Sequence, residues 1–139
     1  MVETGTLDRL RAIPILAQLD DAGLERVAEL ATEFEAPAKH VLIEAGQEGS
    51  GVFVIEEGTV TVEVPGGPSV SLGPGEYVGE LAILVPGILR TARVQAATPI
   101  RALAISREDL RTLLDEHPRI GVAMLPVLAG RLAALETGG

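Results

Sequence analysis

Cysteine is absent from the 139-residue chain. Disulfides, iron–sulfur clusters and thiolate zinc sites are therefore excluded together, and a reducing compartment fits. Tryptophan is absent too, and Phe34, Phe53 and Tyr77 are the only aromatic residues. The core must then be built from Val, Leu, Ile and Ala, and a surface that reads bases by stacking has little to stack with. No apolar run reaches the ~18 residues of a spanning helix. Glu3, Asp8, Arg9 and Arg11 interrupt the N-terminus where a signal peptide would carry its apolar core. These absences point to a soluble cytoplasmic protein with no membrane partner. Positive charge is also scarce. The net charge is -9, made of -11 over residues 1–89 and +2 over residues 90–139. Such a surface repels a polyanion, so direct nucleic-acid binding is not expected. A small anion held by one of the late arginines remains compatible with it.

What is present is 47% hydrophobic, enough for an ordinary core, in a length that fits one domain. We expect a single domain over 1–139, with helices over about 6–32, strands over about 34–105 and helices again over about 107–136. Leu7, Leu10, Ile13 and Leu16 recur at three-residue steps, and Leu24, Val27, Ala28, Leu30 and Ala31 at helical spacing. Asp20 or Asp21 suits the cap of the second helix, and Pro14 breaks the first segment. The middle alternates short β-branched runs with glycine: 41–43, 52–55, 59–64, 70–72, 94–97 and 100–105. About eight short strands separated by turn signals predict an antiparallel sandwich or roll. Glu57-Gly58 and Gly66-Gly67 read as hairpin turns, and Gly73, Gly75 and Gly79 as roll corners. Ser106 is placed to cap a helix beginning at Arg107. His117-Pro118 ends that helix. A last amphipathic stretch carries Ile120, Met124, Leu125, Leu128, Leu132 and Leu135, with a kink expected at Pro126.

One stretch departs from this texture: residues 79–94 read GELAILVPGILRTARV. A glycine, a carboxylate at Glu80, the start of a short helical turn and a guanidinium at Arg90 suit a sugar phosphate. The carboxylate accepts from a sugar hydroxyl, the guanidinium fork grips phosphate oxygens, and free backbone N–H groups favour negative charge. Taken alone, Glu80 and Arg90 are as readily a surface ion pair, worth about 0–1 kcal/mol.

The frame around them decides between the two. Gly79, Glu80, Leu81, Ala82, Ile83 and Leu84, a five-residue insert, then Arg90, Thr91, Ala92 and Val94 resemble the phosphate-binding cassette of cyclic-nucleotide-binding domains. The resemblance includes Ile43-Glu44-Ala45-Gly46, the run from Val52 to Val60, and Leu72-Gly73-Pro74-Gly75 leading into Gly79-Glu80. It covers roughly residues 10–120, and the insert length is similar to that of bacterial catabolite-activator proteins. The resemblance implies a fold that is mainly β with flanking helices: an antiparallel double-stranded β-helix, or β-roll, between N-terminal and C-terminal helices. It implies that Glu80 accepts from the ribose 2′-hydroxyl and that Arg90 neutralises the cyclic phosphate. Amides near Leu81, Ala82, Thr91 and Ala92 would bind phosphate oxygens, with Gly79 allowing close approach. Thr91 is compatible with cAMP and with cGMP. No cofactor and no metal are implied. Signalling would run through the C-terminal helices to a partner protein, a second copy or another region, with Leu125 or Leu128 as an aliphatic lid.

Two other readings compete. The same fold, with its pocket empty or holding another anion, would be a structural or dimerisation module. A cupin-like metal enzyme shares the roll, but it needs several ligands converging from strands. His40 and His117 are the only histidines and read as ordinary surface residues. No nucleophile sits in a catalytic frame, since Gly49-Ser50-Gly51 lacks an elbow's outer glycine. Enzyme activity is not expected.

Overall fold

The computed structural model describes residues 4–44, 51–63, 66–67, 69–79 and 92–137. It divides into two compact units, a roll over Leu30–Leu110 and a helical unit of Met1–Glu29 with Arg111–Gly139.

The roll holds eight strands among the described residues: β1 Thr32–Ala36, β2 Val41–Ile43, β3 Gly51–Glu57, β4 Val60–Glu63, β5 Ser69–Leu72, β6 Tyr77–Val78, β7 Arg93–Ala96 and β8 Ile100–Ser106. They form two antiparallel four-stranded sheets, ordered β1-β8-β3-β6 and β2-β7-β4-β5. Every connection except β4–β5 carries the chain from one sheet to the other, and that alternation is what makes the sheets a roll.

Between the sheets lies an aliphatic core of Ala36, Ile43, Ile55, Val60, Val78, Val94, Ala96, Ile100 and Ala102, against which Phe34 and Phe53 pack. Their rings stand 5.6 Å apart between centroids. Strand β3 is buried on both faces, with Val52 and Val54 as enclosed as Ile55. This explains why Val52-Phe53-Val54-Ile55 reads as a continuous apolar run rather than an alternating one. After Ile55 the β3–β8 register shifts, so that Glu57 rather than Glu56 pairs with Arg101.

Two expectations are corrected here. The strands begin at Thr32, not 34, because Thr32-Glu33-Phe34-Glu35-Ala36 alternates and pairs along its length with β8. Helix α2 accordingly ends at Leu30. Glu57-Gly58 is not a hairpin turn, since β3 and β4 lie in different sheets. It is a corner. Gly58 has φ +85°, and a Cβ there would stand 2.2 Å from the Pro99 carbonyl oxygen. Thr59 N–H donates to Thr98 Oγ1 at 3.0 Å, which fixes this corner against the one leading into β8. The β4–β5 connection is the true hairpin, with Gly66 at φ +76°. Gly75, at φ +88°, turns the β5–β6 corner, where its N–H donates to the Ile55 carbonyl at 2.8 Å.

In the helical unit, α1 (Thr4–Arg11) leads to a 3-10 turn at Pro14–Leu16 and then to α2 (Asp21–Leu30). Leu7, Leu10, Ile13 and Leu16 are all buried, as their spacing requires. Asp20 caps α2, accepting from Gly23 N–H at 2.8 Å. Helix α3 (Arg107–Glu116) is capped by Ser106, whose Oγ accepts from Asp109 N–H at 3.1 Å. His117-Pro118 separates it from α4 (Arg119–Thr137), which packs on the 3-10 turn and contains Pro126 in its interior. Ile120 and Met124 are buried, whereas Leu125 is 60% exposed and lies off the buried face. Among the described residues no helix is long and apolar enough to cross a membrane.

Candidate functional site

The segment expected to form the cassette, residues 79–92, begins where β6 ends and finishes where β7 starts. Gly79 follows Val78 with φ +96°, a conformation that an L side chain strains to adopt. Ala92 precedes Arg93 and is half-buried. Between them, Glu80, Leu81, Ala82, Arg90 and Thr91 lie outside the described residues.

The registers locate the two ends. Phe53 pairs with Val78 and Ala104, so Gly79 leaves the first sheet beside Val52 and Ile105. In the second sheet Arg93 pairs with Glu63, whereas Ala96 pairs with Val60 beside the Gly58 corner. Both ends of the cassette therefore sit at the edge of the roll away from the Gly58 and Pro99 corners. Twelve residues, 80–91, join them from one sheet to the other.

Inward-facing side chains at this edge are aliphatic: Ile43, Val62, Val78 and Val94. The charged groups point outward by strand alternation. Arg93, which sequence reasoning passed over, lies 3.4 Å (Nε) from Glu44 Oε2 and has Glu63 opposite it on β4. The signal was available, because Arg93 is the polar partner of buried Val94 in a period-2 pattern.

A second concavity lies elsewhere. An open cleft of about 410 Å³ is lined by Glu35, Ala36, Pro37, Glu57, Pro99, Ile100 and Arg101. By register it sits about four to five residues, or roughly 15 Å, along the sheet from Gly79. Its one cation is engaged, Arg101 Nη2 being 2.9 Å from Glu57 Oε1 and 3.8 Å from Glu56 Oε2. That cleft is not the candidate site.

Neither histidine gathers ligands. His40 is exposed, tilted against Phe34 at 5.6 Å between ring centroids, and His117 is half-buried at a helix end. Among the described residues no group of three His, Cys, Asp or Glu is placed to hold a metal ion.

The family model described as "Cyclic nucleotide-binding domain" matches residues 33–117. The chain belongs to the cyclic nucleotide-binding domain family. That span takes in all eight strands but the first residue of β1, together with the whole of 79–92. As in this family, the fold is mainly β, two four-stranded sheets rolled together with helices before and after them. A cyclic nucleotide-gated potassium channel of Rhizobium etli is 34% identical over 128 residues, 92% of this chain and 34% of the channel. The Thermus thermophilus catabolite activator protein superposes with a TM-score of 0.77 at 25% identity, over 90% of this chain and 61% of that one. The regulatory subunit of a cAMP-independent protein kinase A from Trypanosoma brucei gives 0.73 at 25% identity, over 90% and 45%. The chain thus spans about a third of the channel's length and less than two thirds of either solved chain.

Proposed function

We propose that the chain binds a cyclic nucleotide, cAMP or cGMP, reversibly, and works as a regulatory rather than a catalytic domain in the cytoplasm. Residues 1–139 act as one functional domain in this reading. Gly79, Glu80, Leu81, Ala82, Arg90, Thr91 and Ala92 hold the ligand. Glu80 accepts from the ribose 2′-hydroxyl. Arg90 grips the cyclic phosphate, and amides near Leu81 and Ala82 and at Thr91 and Ala92 donate to its oxygens. The observation that carries this reading is the family match across residues 33–117, which encloses every one of these positions in a single frame. Supporting it, Gly79 holds the positive φ that lets backbone come close to a ligand. The aliphatic interior next to Val78 and Val94, where the segment starts and ends, also favours charged hydrogen bonds there.

Occupancy is transmitted if the ligand favours one arrangement of the C-terminal helices over another. The recipient is a second copy, a partner protein or another region joined to this one. The channel relative has such further length beyond the matched part.

Isothermal calorimetry with cAMP, cGMP and 5′-AMP tests the reading. A cyclic form should bind at micromolar or tighter Kd and 5′-AMP far more weakly. Arg90→Ala should lose on the order of 100-fold in affinity, because it removes two charge-assisted hydrogen bonds. A second reading has its own support: the trypanosomal neighbour of the same fold is named for a cAMP-independent kinase. No heat with either cyclic nucleotide would make the chain a structural module instead.

A further inference from the structure

The break at His117-Pro118 leaves α3 and α4 joined by a short elbow. Pro118 has no N–H, and the elbow is bridged by His117 N–H to the Leu113 carbonyl at 2.7 Å, Ile120 N–H to the His117 carbonyl at 3.1 Å and Val122 N–H to the Pro118 carbonyl at 3.1 Å. Buried Leu113 and Ile120 anchor the chain on either side of it. Helix α2 adds a polar hold from 90 residues earlier in the chain.

Arg26 donates from Nε to Glu116 Oε1 at 2.9 Å and from Nη2 to Glu116 Oε2 at 3.3 Å, a two-pronged grip on the last residue of α3. Its remaining arm, Nη1, reaches Glu29 Oε2 at 3.2 Å, one turn further along α2, which orients the guanidinium. One turn earlier stands Gly23. A Cβ there would stand 3.2 Å from Asp20 Oδ1 and Leu19 Cβ and 3.3 Å from His117 Cε1, so the missing side chain leaves room for the helix cap and for the imidazole together. The same face of α2 thus presents a notch to residue 117 and a cation to residue 116. The guanidinium holds the Glu116 carboxyl below the usual carboxylate range, and Arg26 is raised in turn by Glu116 and then Glu29.

We infer that Arg26 and Glu116 form a reversible electrostatic latch by which α2 sets the position of the α3–α4 elbow. Both side chains are part-exposed, at 34% and 42%. Salt therefore screens the pair, and its hold biases the elbow by a factor of about 2–5 rather than locking it. The latch stands whether or not the roll takes a nucleotide.

Hydrogen–deuterium exchange on the whole chain tests it, read at the elbow amides of His117, Ile120 and Val122 with those of β3 and β8 as internal controls. Arg26→Met and Glu116→Gln should each speed elbow exchange about 2–5-fold, and the double variant should do no more than either alone. In the unmodified chain, raising the salt from about 0.02 M to about 0.5 M should speed the same amides. Both variants should be insensitive to it. The latch is overturned if the single variants exchange like the parent, if their effects add in the double variant, or if salt leaves the parent's elbow unchanged.

Discussion

Gly58 has little freedom to change. Its φ of +85° and the Pro99 oxygen at 2.2 Å from a would-be Cβ act together, so Gly58→Ala combines backbone strain with a clash against main chain. Urea denaturation should show a loss of at least about 2 kcal/mol. Lys39 is the converse case. It sits at φ +77° with a side chain, between β1 and β2, held by its N–H to the Ala96 carbonyl at 2.7 Å. Lys39→Gly should therefore stabilise the roll, by up to about 1 kcal/mol in the same assay. Glycine marks demanding backbone in the sequence, and so Gly58, Gly66, Gly75 and Gly79 were all legible as turns. Lys39 was not, because nothing in the side chain announces a left-handed conformation imposed by its neighbours.

At the scale of elements, local chemistry was readable and pairing was not. The caps came through because each depends on residues three apart: Asp20 on Gly23 N–H, Ser106 on Asp109 N–H. Ser106→Ala should cost about 1 kcal/mol of stability in denaturant titration, through the freed amide of α3. Gly58 and Gly66 show the limit. Both demand positive φ, but one turns a corner between sheets and the other closes a hairpin, and only the partners of β3 and β4 decide which. The latch adds a pH dependence of definite sign. Glu116 has its pKa lowered in the folded chain, so the hold on the elbow is present above the unfolded-state value and is lost as pH falls through the folded one. Elbow exchange in the parent chain should converge on that of Glu116→Gln only under acid conditions, below the ordinary glutamate pKa of about 4.3. Arg26 stays charged throughout, and His117, next in the chain, adds a smaller electrostatic lowering of the Glu116 carboxyl.

At the scale of the whole molecule, the order helices, strands, helices followed from periodicity, and the roll followed from short glycine-punctuated strands. The segment proposed to hold the ligand was singled out in another way. Glu80 and Arg90 are ten residues apart, and no rule of spacing distinguishes a ligand-binding pair from a solvated one. Only the surrounding frame of Gly79, Leu81, Ala82, Thr91 and Ala92 does so. The fold adds a reason for that frame: the two ends of the crossing leave different sheets at the same edge of the roll, beside an aliphatic interior. Ligand binding there should also raise the thermal midpoint in proportion to the logarithm of nucleotide concentration above Kd. A crystal structure of the chain grown with saturating cAMP or cGMP is the most direct measurement. It should show the cyclic phosphate on the Arg90 guanidinium and the ribose 2′-hydroxyl on the Glu80 carboxylate, both at hydrogen-bond distance. A nucleotide bound away from residues 79–92, or no nucleotide bound at all, would contradict the account.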